Sequence, residues 1–348
     1  MSSGDTATMS NTRVIKIGTR RSPLAIRQVE HTVALLQKAH PDITFEVNAI
    51  ATQGDKDKVS PLPSMGKGMW TNELEAMLTS GEVDFIVHCL KDMPTTLPDN
   101  CELGAVMERE DPRDVVVIKP KHIQAGCKTI ADLPKGSLVG TSSPRRSSQL
   151  KRWYPELRFR DYRGNIDTRL RKLDAEDGEF DCIILAAAGL HRMDQHSRIA
   201  QYLDSTTEGG GILHAVGQGA LGLEVRKGDE ETLKVLQCLV HMPTMKAGWA
   251  ERTVMRTLEG GCSVPIGVET SWSDEGKTLR LRATVVALDG SEAVDADASA
   301  PVSNQEEAEA LGKQVSQVLV ERGAKKILDV ITQTRLAPPV KTVAGAAA

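Results

Sequence analysis

V-I-K-I-G-T-R-R-S-P-L-A-I-R-Q-V-E-H-T-V-A-L-L, residues 14–36, changes its hydrophobic period partway along. Residues 14–17 read as a short strand. Ser22 then supplies an N-cap, Pro23 suits a first helical turn, and Ile26, Val29, Val33 and Leu36 include the apolar positions of a helix. The following segments complete a β-α-β rhythm: residues 45–50 alternate as a strand, 71–78 read as a helix and 83–87 as a buried strand.

The rhythm then repeats. Residues 115–118 and 138–140 are strand-like, and T-S-S-P-R-R follows, where Ser142 or Ser143 can cap a helix that Pro144 helps to start. Residues 159–162 precede R-G-N and a helix to about Leu173, and 182–187 form a hydrophobic strand. Short strands alternating with helices twice over predict two α/β units. The glycine-rich A-V-G-Q-G-A-L-G, residues 215–222, leads to a strand at 223–226 that is expected to return the chain to the first unit. Beyond about Glu230 helices dominate, with strand-like runs at 264–269 and 278–288 and a last helix over 306–322, the pattern of a small third domain. No internal repeat is visible.

The 348 residues, 40% of them apolar, suffice for two or three cores. A net charge of -4 recruits no polyanion globally, so any anion site must be local. Six cysteines (89, 101, 127, 182, 238 and 262) stand singly, which points to a reducing compartment. Residues 1–12 are small and polar, unlike a secretion signal or transit peptide, and no apolar run is long enough to span a bilayer. The expectation is a soluble, cytoplasmic monomer without a membrane partner, with loose tails at 1–12 and 337–348.

Between Arg145 and Lys172 there are ten Lys or Arg residues against three acids. Lys151, Arg152, Arg171 and Lys172 read as a solvated helix surface. Arg145, Arg146, Arg163 and Arg169 instead follow strands or open helices, where a guanidinium fork and helix N–H groups bind carboxylates; Arg20 repeats that placement in the first unit. Nucleic acid competes as the anion, but the basic run lacks interleaved aromatics and a recognition motif, so small carboxylated ligands are favoured and no nucleic-acid partner is expected. In H-C-L-K-D-M-P, residues 88–94, Asp92 has two readings: a structural pair with Lys91 or a turn cap, and a carboxylate that holds a cationic intermediate or moves a proton. Cys262, in E-G-G-C-S-V-P, is either a small buried hydrophobe or a used sulfur on an accessible loop. No zinc-site spacing, Walker A run or dinucleotide fingerprint is present, and no metal is expected. A noncatalytic carboxylate-binding protein remains the rival to an enzyme.

Ten blocks in order carry a resemblance: G-T-R-R-S-P-L-A, A-T-Q-G-D, G-K-G-x-x-x-x-E-L-E, H-C-L-K-D-M-P-T, R-E-D-P-R-D, G-T-S-S-P-R-R, R-G-N-I-D-T-R-L-x-K-L, I-I-L-A-A-A-G-L-x-R, A-V-G-Q-G-A-L-G and L-E-G-G-C-S-V-P-I-G. Together, over residues 13–334, they resemble the porphobilinogen deaminase, or hydroxymethylbilane synthase, family. The resemblance implies an α/β fold of two periplasmic-binding-protein-like lobes flanking a cleft, plus a small third α/β domain. Its divisions would be 13–113 with 213–236, 114–212, and 237–336.

It also implies a transferase of heme and tetrapyrrole biosynthesis, adding four porphobilinogen units head to tail to a dipyrromethane cofactor held by Cys262 through a thioether. The partners are then porphobilinogen and the growing linear pyrrole chain. By the same resemblance Asp92 serves the cationic intermediates, assisted by Lys91 and Arg20. Arg145, Arg146, Lys91, Thr141 and Ser142 would hold the cofactor, and Arg20, Ser22, Gln28, Arg163, Arg169 and Lys67 the substrate. Lys67 matches a mobile loop region in the family and otherwise reads as a surface turn. Cys89 replaces the family's usual serine, Trp70 a phenylalanine, Pro144 an apolar residue other than proline and Pro63 a basic residue found in some members, so hydrogen bonding at 89 and packing at 70 are expected to differ.

Overall fold

The computed structural model describes residues 13–56, 68–258 and 264–336. The first unit comprises β1 (Val14–Arg20), α1 (Pro23–Ala39), β2 (Thr44–Ile50), the short α2 (Gln53–Lys56), α3 (Asn72–Ser80), β3 (Phe85–Cys89) and β4 (Cys101–Val106). Ser22 caps α1 by accepting a hydrogen bond from the Ala25 amide, with Pro23 in the first turn. The apolar stripe of α1 then buries Val29 and Leu36 in one core with Ile15, Ile17 and Phe85.

The second unit follows as β5 (Asp114–Ile118), α4 (Pro120–Gln124), β6 (Leu138–Gly140), α5 (Pro144–Trp153), β7 (Arg158–Arg160), α6 (Ile166–Asp174), β8 (Cys182–Ala186), α7 (Ala187–Arg192) and β9 (Gln201–Leu203). The chain then returns, and β10 (Leu221–Arg226) inserts between β3 and β4, antiparallel to both. The first sheet runs β2-β1-β3-β10-β4 and the second β7-β6-β8-β5-β9, where β5 is antiparallel to both neighbours. Each sheet therefore has one reversed strand, next to an edge strand. In the first unit that strand comes last along the chain and in the second it comes first. The shifted order hides the common plan from a search for internal repeats.

The helices α8 (Glu230–Leu236) and α9 (Met242–Thr257) lead to an antiparallel sheet of β11 (Ile266–Ser273), β12 (Thr278–Val286) and β13 (Ala293–Pro301), followed by α10 (Gln305–Glu321) and α11 (Ala324–Leu336). Ala250 and Val254 of α9, Leu281 and Val285 of β12, Val315 of α10 and Ile327 of α11 share one core. Neither β13 nor α11 was expected. β13, A-V-D-A-D-A-S-A-P, has small residues where strands usually carry branched ones, and its pairing with β12 along all nine residues outweighs its weak propensity.

Two crossovers, residues 107–113 and 204–220, join the first two units. They are stitched by the Glu110 amide, which donates to the Gly219 carbonyl at 3.3 Å. The Val268 amide donates to the His214 carbonyl at 2.8 Å and so ties the second crossover to β11. No described helix is long and apolar enough to cross a membrane.

Candidate active site

The candidate residues follow the C-terminal ends of parallel strands, where open α/β sheets place their functional groups. Arg20 ends β1, Leu90–Asp92 form a 3-10 turn directly after β3, and residues 141–143 join β6 to α5, whose first turn carries Arg145 and Arg146. Arg163 and Arg169 follow β7, and Arg192 closes the helix after β8.

Arg20 is held from three sides. Its Nη2 and Nε donate to Asp55 at 2.5 and 3.2 Å, its guanidinium lies 4.1 Å from the centre of the Trp70 ring, and its Nη1 is 4.0 Å from Asp92 Oδ2. Burial alone would lower the Arg20 pKa, but the bond to Asp55 and the charges of Asp92 and Asp55 outweigh it and raise the value. Asp92 keeps 30% of its side chain exposed and faces Arg20, and its charge also acts on the neighbouring Lys91 ammonium.

Lys91 also reaches the second crossover. Its Nζ donates to Gln218 Oε1 at 3.4 Å, and Gln218 Nε2 donates to Asp114 Oδ1 at 2.9 Å. Asp114, wholly buried, is the shared counter-ion of Arg145 (Nη1 to Oδ2, 2.6 Å) and Arg146 (Nε to Oδ1, 2.9 Å). Arg145 Nη1 also donates to the Leu213 carbonyl, and Arg146 Nη1 to that of Ile184. The Asp114 carboxyl is held well below the usual carboxylate range, because the two arginines and Gln218 overcome the opposing effect of burial. Burial, together with the charge of Arg146, pushes the Lys91 ammonium down despite Asp92.

Arg169 donates through Nε to the Gly164 carbonyl at 2.7 Å. Burial and the like charges of Arg146 and Arg163 lower its pKa to about 10. Arg163 borders an open depression with Asn165, Thr168 and Lys172. Cys89 meets Gln28, whose Nε2 donates to the sulfur at 3.0 Å, and burial pushes the thiol pKa up. The guanidinium of Arg192 is close enough to Cys89 for each to affect the other's ionisation. Among the hydroxyls, Ser22 Oγ accepts from Ala25, Thr141 Oγ1 from the Ser143 amide at 3.2 Å, and Ser142 Oγ from the Tyr162 amide at 2.9 Å. Ser143, not Ser142, caps α5. Lys67, Pro63 and Cys262 lie outside the described residues.

Asp55, Trp70, Asp114, Gln218 and Arg192 join the candidates without having been assigned site roles from sequence. Each stands inside one of the quoted blocks or, for Trp70, at a noted departure, which was the available signal. What the arrangement offers chemically is a carboxylate, Asp92, beside cations from both units. The charge of Arg146 lowers the pKa of both Lys91 and Arg169, and Arg163 adds to the effect on Arg169; such a crowd of like charges suits a ligand bearing several carboxylates. The residues present therefore fit a polycarboxylated pyrrole.

Comparison with known proteins assigns the lineage. The family model described as "Porphobilinogen deaminase, dipyromethane cofactor binding domain" matches residues 15–234, and "Porphobilinogen deaminase, C-terminal domain" matches residues 246–321. The porphobilinogen deaminase of Neurospora crassa is 61% identical over 92% of this chain and 95% of its own length; that of Yarrowia lipolytica is 52% identical over 90% and 92%. Overlap with solved structures is weaker: the BenM effector-binding domain with benzoate covers 65% of this chain and 90% of its own, at 15% identity and a TM-score of 0.39, and adds nothing to the assignment. On the two family matches and these relatives, the chain belongs to the porphobilinogen deaminase family.

Proposed function

We propose that this hydroxymethylbilane synthase condenses four porphobilinogen units head to tail, releases one ammonia for each, and hydrolyses the product as hydroxymethylbilane. The primer is a dipyrromethane held by Cys262 through a thioether. The observation that carries the reading is the group of cations from both units, Lys91 with Arg146, Arg163 and Arg169, beside Asp92 and Arg20. Every pyrrole unit brings an acetate and a propionate, which match such a group in charge.

When bound, the dipyrromethane supplies the nucleophilic pyrrole carbon at which growth begins. Arg145 and Arg146, preset by Asp114, bind its carboxylates, with Lys91, Thr141 and Ser142 adding donors. Arg20, Arg163 and Arg169 receive the carboxylates of the incoming unit, helped by Ser22, Gln28 and Lys67. Asp92 stabilises positive charge on that unit as ammonia leaves and exchanges protons with it. Arg20, 4.0 Å away, orients the Asp92 carboxylate.

The fold assigned to this activity is a pair of periplasmic-binding-protein-like lobes, 13–113 with 213–236 and 114–212, flanking the cleft, with a third domain at 237–336 carrying Cys262. The common strand plan of the two five-stranded sheets supports it. The protein acts as a cytoplasmic monomer on porphobilinogen and the growing chain, with neither nucleic acid nor membrane as a partner.

The deciding experiment is the intact mass of the denatured protein, followed by peptide mapping. A dipyrromethane-sized addition on the peptide containing Cys262 is expected. An unmodified Cys262 that acquires nothing on incubation with porphobilinogen would sink the mechanism, and an adduct on Cys89 would move the thioether there.

A further inference from the structure

The reaction assigned above does not use His191, yet both of its ring nitrogens are engaged. Nδ1 lies 3.0 Å from Glu110 Oε1 on the first crossover, and Nε2 lies 3.1 Å from the Tyr202 hydroxyl on β9. The neutral tautomer with its proton on Nδ1 satisfies both, donating to Glu110 and accepting from Tyr202. One face of the ring stacks on His196 at 4.5 Å, with the planes 12° apart. Tyr202 is itself covered by the Arg113 guanidinium at 4.2 Å, and Arg113 bonds Asp111 on the same crossover.

These contacts close a circuit. The Glu110 amide donates to the Gly219 carbonyl at 3.3 Å, and the same carbonyl accepts from Arg192 Nη2 at 2.8 Å. Arg192 is the next residue after His191 on α7. Glycine is required at 219: its φ is +88°, and a Cβ there would stand 2.2 Å from the Glu110 carbonyl oxygen. Four residues thus couple both crossovers to a guanidinium whose acceptor, Gly219, adjoins Gln218, the acceptor of the Lys91 ammonium. His191 is the member whose side chain can be changed without altering crossover backbone or the cation itself.

We propose that His191 is a positioning residue that, through Glu110, keeps the two crossovers in the register that aims Arg192 into the site, and so tunes affinity for porphobilinogen without touching it. The proposal rests on the reaction assigned above. It predicts an effect on binding that passes through Arg192. A histidine that only packed α7 against β9 would lower stability without that dependence.

The test compares His191→Ala, His191→Gln, Arg192→Ala and the His191→Ala/Arg192→Ala double variant of the full chain. Steady-state kinetics with porphobilinogen and backbone hydrogen exchange over residues 107–113 and 215–220 are read together. His191→Ala is expected to raise KM about three- to ten-fold with kcat nearly unchanged, the scale of one lost hydrogen bond, and to speed exchange in both crossovers. His191→Gln, whose amide N–H can still reach Glu110, is expected to recover most of both effects. In the Arg192→Ala background the same histidine substitution should add little to KM. Unchanged KM and exchange in His191→Ala, equal defects in His191→Ala and His191→Gln, or a KM increase that persists in full without Arg192 would each overturn the proposal. A wild-type enzyme that consumes no porphobilinogen would refute the assigned reaction instead, and the exchange pattern would then decide the clasp alone.

Discussion

Glu251 on α9 and Arg109 on the first crossover are joined by two hydrogen bonds, Nη1 to Oε1 at 2.6 Å and Nη2 to Oε2 at 3.0 Å, and the carboxylate is wholly buried. The Gly217 amide and the Thr270 hydroxyl also donate to it, each at 2.8 Å. One side chain therefore fastens both crossovers and β11. Removing one partner of such a pair leaves the other charge buried and alone. Arg109→Ala is expected to lower unfolding free energy by about 3–5 kcal/mol in urea titrations, and a loss below about 1 kcal/mol would show that the pair is dispensable.

The same carboxyl gives a pH dependence. Burial alone would raise the Glu251 pKa, but Arg109, His214 and the Gly217 amide bring it from 4.5 down to about 2. A group whose folded pKa is depressed adds stability above its unfolded value and loses it as pH falls through the folded one. Asp114, also depressed, adds in the same direction. The denaturation midpoint should therefore fall as pH drops from about 4.5 toward 2. Glu251→Gln should be less stable at neutral pH and lose less over that interval, and parallel curves for the two proteins would contradict the assignment.

Asp92 is the chemical prediction. Asp92→Asn keeps the size of the side chain and removes its charge, so kcat should fall by about 10²- to 10³-fold while KM changes little. Porphobilinogen consumption under saturating conditions measures it. Preserved kcat with a raised KM would make Asp92 a binding group.

Arg169 carries a cost in the absence of anions, because burial and its neighbours Arg146 and Arg163 disfavour its charge. Apo Arg169→Gln is expected to melt higher than apo wild type, by about 0.5–2 kcal/mol of added stability, while binding porphobilinogen less well. Inorganic phosphate should stabilise the wild type more than the variant. A lower melting temperature for the apo variant would show that the Arg169 bond to Gly164 outweighs the repulsion.

Local signals made the strand-helix rhythm legible: the Ser22 cap, Pro23, and the helical spacing of Val29 and Leu36 all predict what α1 does. The arginines were legible for a similar reason, since they follow strand ends. What escaped was long-range. Asp114 opens a hydrophobic strand, and only the fold brings it to Arg145 and Arg146, 31 and 32 residues later. The Glu251 partner is 142 residues from Arg109, and no local spacing links them. β13 escaped because pairing with β12, rather than its own composition, makes it a strand.

The insertion of β10 between β3 and β4 also has a consequence at the ribosome. The nascent chain delivers β4 by Val106, but the strand that pairs with it begins only at Leu221, after the entire second sheet has emerged. At about 5–20 residues per second, β4 waits roughly 6 to 23 seconds for that partner. The contiguous second lobe can complete its sheet first, so the order of folding reverses the order of synthesis. During that interval the edges of β3 and β4 that β10 later fills stay open to unwanted pairing.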